Sequence, residues 1–409
     1  MLMHALKNGK FRNFFLADIF SCFGIGLLTT GTSWYMLVAT NSVRYVGFMA
    51  SFNVVAGFLS SLVTGSIIDK FDRRKVIYTS SMIRVLVILI IMIAFLLNGF
   101  SVVLMYLLAI INGVGWNIYV SSSRSFAQEI LPKEHLMSGN ALSEMSLQAG
   151  MLASGLGAGF ILNAFRFETL LGIYMFVFTI SSMFIFAIKH KSEIKNNPVE
   201  EKFGSMFKEG VEYLRKKKSI FLFGLVSVIP VVVTSFYNVV LPSYVVDVVE
   251  ANSFIFGLSD MFYGVGGLTS GFLMGLMVKR ISNEKLVLLL FLFSSVNLFI
   301  LFINTYFLVL FFGSFIFGLI HSGTRIVMNT KLMEYVEPKY MGRATSVWMG
   351  ISFLINALGA SLLGLVMDAT HAGFGFLIMS CLMIFGFVVI LSLLPMFTAQ
   401  SKVDQPEKA

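Results

Sequence analysis

The chain reads as an all-α integral membrane protein, with twelve transmembrane helices in two parallel six-helix halves around a central cavity. Composition, run length and internal similarity each point there. Of the 409 residues, 57% are hydrophobic and 12% charged, and the mean hydropathy is +0.86, far above that of an average soluble domain. Apolar runs of about twenty residues, the length a helix needs to cross a hydrocarbon core ~30 Å thick, recur along nearly the whole chain. They are too long, and alternate too little, to be barrel strands.

The predicted spans are 13–39, 46–68, 78–97, 102–123, 141–164, 169–188, 219–247, 254–278, 286–303, 307–329, 344–368 and 372–395. The first is too long for a cleaved signal and lacks a small-residue cleavage pattern, so it reads as a permanent helix. The net charge of +9 would suit a nucleic-acid partner, but its placement argues otherwise. Arg44 and Arg166 lie in links on one side, whereas the other loop cations gather on the opposite side. The positive-inside rule makes that opposite side cytoplasmic, with both termini there. The basicity is then a topology signal at the lipid headgroups, and nucleic acid drops out. Cys22 and Cys381 each fall inside a span, with no spacing that suggests a metal site or defines a disulfide.

The longest polar stretch, 189–218, divides an N-terminal half (1–188) from a C-terminal half (219–395); residues 396–409 read as a disordered tail. Phe203, Phe207, Val211 and Leu214 recur at helical spacing within that stretch. They predict an amphipathic helix along the cytoplasmic face, with Lys216 to Lys218 at the headgroups. The halves look like diverged copies. "TGSIIDKFDRRKV" (64–76) lies against "MGLMVKRISNEKL" (274–286), "SGNA" (138–141) against "MGRA" (341–344), and "LGAG" (156–159) against "LGAS" (358–361). Parallel repeats of this kind place a substrate site at their interface, near the bilayer midplane.

The loop after the second span, Gly65-x-x-x-Asp69-Lys70-x-Asp72-Arg73-Arg74, resembles the loop 2–3 signature of the major facilitator superfamily, G-x-x-x-D-[RK]-x-G-R-[RK]. Asp72 stands where that signature has glycine. An aspartate there, with "FKEGVEYLRKKKSI" (207–220) and "SSSRSFAQEILPKEHL" (121–136), is similar to the macrolide-efflux-like branch. Two other signatures depart from the pattern. The arginine of the fourth span would fall at Ala109, and Gly155 in "SGLGAG" (154–159) stands where the antiporter motif has proline. The resemblance implies that Asp69 faces the start of the eleventh span, near Ala344. Arg73 is expected to pair with Glu129 or Glu144, forming a cytoplasmic latch between the halves that can open. Topology anchoring alone is the other reading of these cations.

Ionisable and polar groups inside spans need a reason, because a charge at the bilayer centre costs at least ~2.5–3.5 kcal/mol. Asp18 lies about two turns into the first span. It is read either as a protonatable group or as a carboxylate paired with Arg84 or Arg325. Asn112, Trp116 and Asn117 fall in the fourth span, Thr234, Tyr237 and Asn238 in the seventh, and His321 and Arg325 in the tenth. The resemblance implies that these four spans line the central cavity. Asp260 shares a helix face with Gly264, Gly267, Gly271 and Gly275 and is read as a second proton-coupling candidate or as a structural polar position. Asp247 and Asp368, at extracellular helix ends, read as solvated. An abundance of Phe (43) and Met (24) suits bulky amphipathic compounds better than sugars, which need many fixed hydrogen bonds.

No phosphate-cradling G-x-x-x-x-G-K-[ST] and no H-E-x-x-H occurs, so the chain is not expected to be an ATP-driven pump or an enzyme, and no cofactor is called for. The expected activity is secondary active transport by alternating access, in a bacterial cytoplasmic membrane. Proton-driven export of macrolide-like amphipathic compounds by a monomer is the leading form. Export of a dedicated metabolite such as a siderophore, lipid flipping, and a transport-inactive receptor or scaffold stand beside it.

Overall fold

The computed structural model describes residues 6–132, 135–190, 203–278 and 280–403. Thirteen helices account for nearly all of them: α1 (Gly9–Thr40), α2 (Val43–Lys70), α3 (Arg73–Asn98), α4 (Val102–Ile130), α5 (Leu136–Ala164), α6 (Phe167–Phe186), α7 (Phe203–Lys216), α8 (Lys218–Asp247), α9 (Ser253–Met277), α10 (Asn283–Ile303), α11 (Phe307–Tyr335), α12 (Pro338–Ala369) and α13 (Phe374–Val403). Eleven are long and apolar enough to cross a membrane. The expected eighth span, α9, has the length at 25 residues but is less apolar, because it carries Asp260 and six glycines. Its neighbours explain that composition: α9 is packed between α5 and α11, and small residues let those backbones approach.

The halves repeat one packing scheme. Helix α1 packs on α5 and α6 as α8 packs on α12 and α13, and α2 on α4 as α9 on α11. The repeat reaches single residues. A Cβ on Gly113 in α4 would lie 2.1 Å from the Asn53 carbonyl oxygen in α2, and one on Gly318 in α11 would lie 2.0 Å from that of Tyr263 in α9. Between the halves, α2 meets α12 and α5 meets α9.

Loops and α7 define two faces. The linker face holds α7 and the α2–α3 and α4–α5 connections; the far face holds the α1–α2 and α12–α13 connections. Towards the far face the halves are in backbone contact. A Cβ on Gly47 would lie 2.4 Å from the Ala360 carbonyl oxygen, one on Gly364 would lie 2.8 Å from that of Val43, and one on Gly159 would lie 2.6 Å from that of Ser253. Towards the linker face Gly65, Gly271, Gly275 and Gly342 have nothing within 4 Å. Both crossing pairs therefore open like a V from the far face to the linker face.

The amphipathic helix forms, and its buried side keeps the expected Leu214 and, half-buried, Phe207. Val211 is exposed, whereas Gly210, Tyr213 and Leu214 are buried against α12. Tyr213 stacks on Tyr340 at 4.4 Å, Arg343 pairs with Glu209 at 2.8 Å, and Lys217 with Glu337 at 2.7 Å. The hydrogen bond to Glu337 holds the Lys217 ammonium above its ordinary pKa. This helix is thus docked on the C-terminal half through α12. The chain past 395 does not begin as a disordered tail, since α13 continues to Val403. Residues 404–409 and the linker stretch 191–202 lie outside the described residues.

Close backbone contact at the far face has a measurable consequence. Gly257→Leu, whose first added carbon would meet the Gly155 carbonyl oxygen at 2.3 Å, is expected to lower stability by ~1–3 kcal/mol or more through overpacking. Gly275→Leu enters open space and should change little. Thermal unfolding of the two purified variants in detergent compares them; equal losses would contradict the V-shaped packing.

Candidate functional site

Inside the N-terminal half, a polar chain runs from α3 to the midline. Arg84 is buried at 5% exposure, its guanidinium lying 4.5 Å from the Phe178 ring centroid and 5.7 Å from that of Tyr174. Its Nη2 donates to the Asn112 carbonyl oxygen at 3.1 Å, and the Asn112 amide donates to the Thr29 hydroxyl at 2.8 Å. Gly115 on α4 leaves the room: a Cβ there would lie 2.3 Å from the Arg84 Nε. Arg84 forms no ion pair among the described residues, and its Nε has no hydrogen-bond partner. Cation–π attraction and one hydrogen bond hold the charge there instead.

Asp18 is buried at 5% exposure within the same half. It accepts a hydrogen bond from the Tyr119 hydroxyl at 2.6 Å. Neither Arg84 nor Arg325 pairs with it. One turn on, Cys22 packs against Gly150 of α5. Trp116 and Asn117 lie half-buried on α4, and the Asn117 side-chain oxygen is buried without a partner.

In the C-terminal half the Thr234 hydroxyl lies 2.8 Å from His321 Nδ1, linking α8 to α11. The Tyr237 hydroxyl donates to Ser314 at 2.8 Å, and its ring stacks on Tyr263 at 5.3 Å. Asn238 is exposed towards the interface between the halves. Pro242, four residues on, lacks the N–H that would bond its carbonyl. One turn beyond His321, Arg325 reaches Glu144 of the other half at 3.3 Å, the two side chains being 43% and 54% exposed. Both lie within spanning helices, so their exposure marks the wide side of the V.

Asp260 stands where the halves meet. The Thr30 hydroxyl of α1 donates to its Oδ2 at 3.1 Å, and Gly155 of α5 leaves it space. With Thr29, Ser33, Asn238 and Phe256 it lines a cavity of about 10 Å³, room for one water at most. Thr29 thus joins the Arg84–Asn112 chain to this cavity, across which Asp260 sits. No group of His, Cys, Asp and Glu suited to a metal occurs among the described residues.

The α2–α3 loop is built around its charges. Asp72, in the glycine position of the signature, caps α3 by accepting from the Lys75 N–H at 3.2 Å, which satisfies a free helix-end donor. Arg73 donates to Glu129 at 2.5 Å, with His190 Nε2 3.7 Å from the same carboxylate. Arg74 donates to the Ile188 carbonyl at 2.5 Å. Lys70 closes α2 and is exposed, and Gly65 faces open space. These contacts stay within the N-terminal half. Of the two expected partners of Arg73, Glu144 turns instead to Arg325 and bridges the halves. Asp69 lies in α2, but its side chain is outside the described part.

The sequence of the chain matches the transmembrane secretion effector pattern over residues 3–408. The chain belongs to that family of major facilitator superfamily secondary transporters. It is 24% identical to the MFS-type transporter YkuC of Bacillus subtilis (strain 168), covering 98% of this chain and 95% of YkuC. It is 22% identical to the enterobactin exporter EntS of Shigella boydii serotype 18 (strain CDC 3083-94 / BS512), covering 91% of each. A crystal structure of a point mutant of the nucleoside transporter NupG superposes with a TM-score of 0.77 at 15% identity, over 94% of this chain and all of that one. That likeness shows the fold.

Sequence reasoning passed over Arg84 as a site in its own right. An arginine deep inside the run 78–97 was the available signal. Tyr119→Phe removes the hydroxyl that bonds the buried Asp18 carboxylate and is expected to cost ~1–3 kcal/mol of stability. In the Tyr119→Phe background, Asp18→Asn should recover part of that loss; a double-mutant cycle of thermal stability that is strictly additive would contradict the pairing.

Proposed function

We propose that this transporter exports an amphipathic organic compound by alternating access, with the linker face cytoplasmic, and that proton entry drives it. The V-shaped packing carries the reading: the interface is sealed by backbone contact at the far face and opens towards the linker face. Loop cations concentrated on the linker face support its assignment to the cytoplasm. The halves 1–188 and 219–395 then move as the two units, with 189–218 joining them. The abundance of Phe and Met in the chain, with few polar groups inside the spans, supports a bulky amphipathic substrate. Full-length similarity to the enterobactin exporters favours a dedicated metabolite as much as a macrolide-like drug.

Asp18 and Asp260 are the proton-coupling candidates. Each is a carboxylate at membrane depth without an ion pair among the described residues, held by a hydroxyl donor that serves a neutral or an ionised acid. Asp260 has the stronger claim, because it lies between the halves and beside the cavity; Asp18 is enclosed within one half. A proton on Asp260 alters the hydrogen bond that ties α9 to Thr30 of α1, so protonation and closure are linked by geometry.

Accumulation of macrolides, cationic dyes and catecholate siderophores in an efflux-deficient bacterium tests the proposal, with and without a protonophore. Wild type should lower accumulation of at least one compound, the protonophore should remove that effect, and Asp260→Asn should do so even without it. Unchanged accumulation of every compound, with folded protein in the membrane, would sink amphipathic export. Export that persists in both Asp260→Asn and Asp18→Asn would sink the assignment of coupling to these acids.

A further inference from the structure

We infer that Asp368 is a gate residue of the transport cycle, closing the far face by capping a helix of the opposite half. Asp368 lies in the last turn of α12, where the helix macrodipole disfavours a negative charge. It is compensated across the interface. Its Oδ1 accepts from the Val43 N–H at 2.5 Å and its Oδ2 from the Arg44 N–H at 3.3 Å, the first two residues of α2. The Ser42 hydroxyl donates to the same Oδ2, and the Arg44 Nε lies 3.9 Å from it. Ser42 occupies the N-cap position of α2, yet makes no capping hydrogen bond within its own helix. The cap is therefore supplied by the other half.

An ordinary N-cap belongs to the helix it caps and persists in every conformation of that helix. A cap donated by α12 exists only while α2 and α12 touch at the far face. Gly364 lies one turn before Asp368 and contacts the Val43 carbonyl, while Ser51 and Ser361 exchange a 2.7 Å hydrogen bond further along the same seam. The Asp368 carboxylate also borders a cavity of about 270 Å³, shared with Asp247 and His371. Opening the far face separates α2 from α12 and frees the donors at the start of α2. The cap thus stabilises the state closed at the far face and contributes nothing to the state open there.

This inference rests on the alternating-access reading, and two label pairs separate the two ideas. Spin labels at Asn98→Cys and Tyr306→Cys, both exposed, report the far face. Labels at Lys75→Cys and Lys285→Cys, also exposed, report the linker face. Cys381→Ser removes the exposed native thiol, and Cys22 is buried. Asp368→Asn should raise the far-open population roughly tenfold, the scale of a lost charge-assisted cap, with a matching narrowing at the linker face. Asp368→Glu should restore part of the wild-type distribution. Arg44→Gln should leave it nearly unchanged, since an exposed ion pair is worth little. If Asp368→Asn does not fold, Ser42→Ala should show a smaller shift of the same sign. Distances that switch between two values on both faces in wild type, with equal populations in the Asp368 or Ser42 variant, would overturn the gate and leave alternating access standing. One fixed distance on each face in every variant would overturn alternating access and the gate with it.

Discussion

Backbone contact between α2 and α12 and between α5 and α9 is the constraint on which the rest of the structure depends. Between helices in lipid there is no hydrophobic effect to gain, so association relies on close packing and hydrogen bonds. The glycines at 47, 364, 159 and 257 permit that approach at the far face, where any larger side chain would meet a carbonyl oxygen. Sealing one end lets the other end diverge without the halves parting. Gly65 and Gly275, at matched positions of the repeat, have the same small size but meet nothing. In an alternating-access cycle these are the positions where contact would form when the molecule tilts the other way.

Polar groups are distributed according to that geometry. Within each half they form closed pairs, Tyr119 with Asp18 and Tyr237 with Ser314, which satisfy buried groups and hold helices in register. Between the halves they form few contacts, most of them between side chains or between a side chain and a helix end. Among the described residues they include Thr30 with Asp260, Ser51 with Ser361, Glu144 with Arg325, Ser253 with the Gly159 carbonyl, and Asp368 with the start of α2. Contacts of this sort are individually worth ~1 kcal/mol or a little more. Their sum is small enough to be broken and remade, as two accessible states require.

The fold was legible because membrane spans are written in composition, and the repeat because glycine and charge recur at matched places. Pairings were much less so. Asp368 read as solvated, since its partners lie more than three hundred residues earlier and nothing local marks Ser42 to Arg44 as donors. Arg84 read only as a possible mate for Asp18. Its actual support, two aromatic rings on α6 and the bare face of Gly115 on α4, exists only after three helices assemble. The linker helix had the right period and Leu214 on the right side, but Val211 turns outward, because Tyr213 and Gly210 fit the shape of α12. Asp72 was visible as a departure from a family signature, and its capping of α3 gives that departure a local physical cause.

The antiparallel pair α2 and α12 gathers these threads. Helix α12 ends in an acid, Asp368, placed where its own macrodipole repels it and against the first residues of α2. Helix pairs that stayed together permanently would gain as much from an acid on the capped helix itself. Placing the acid on the partner makes helix-end stabilisation depend on contact between the halves. Asp368 thereby ties the capping of α2 to contact across the interface.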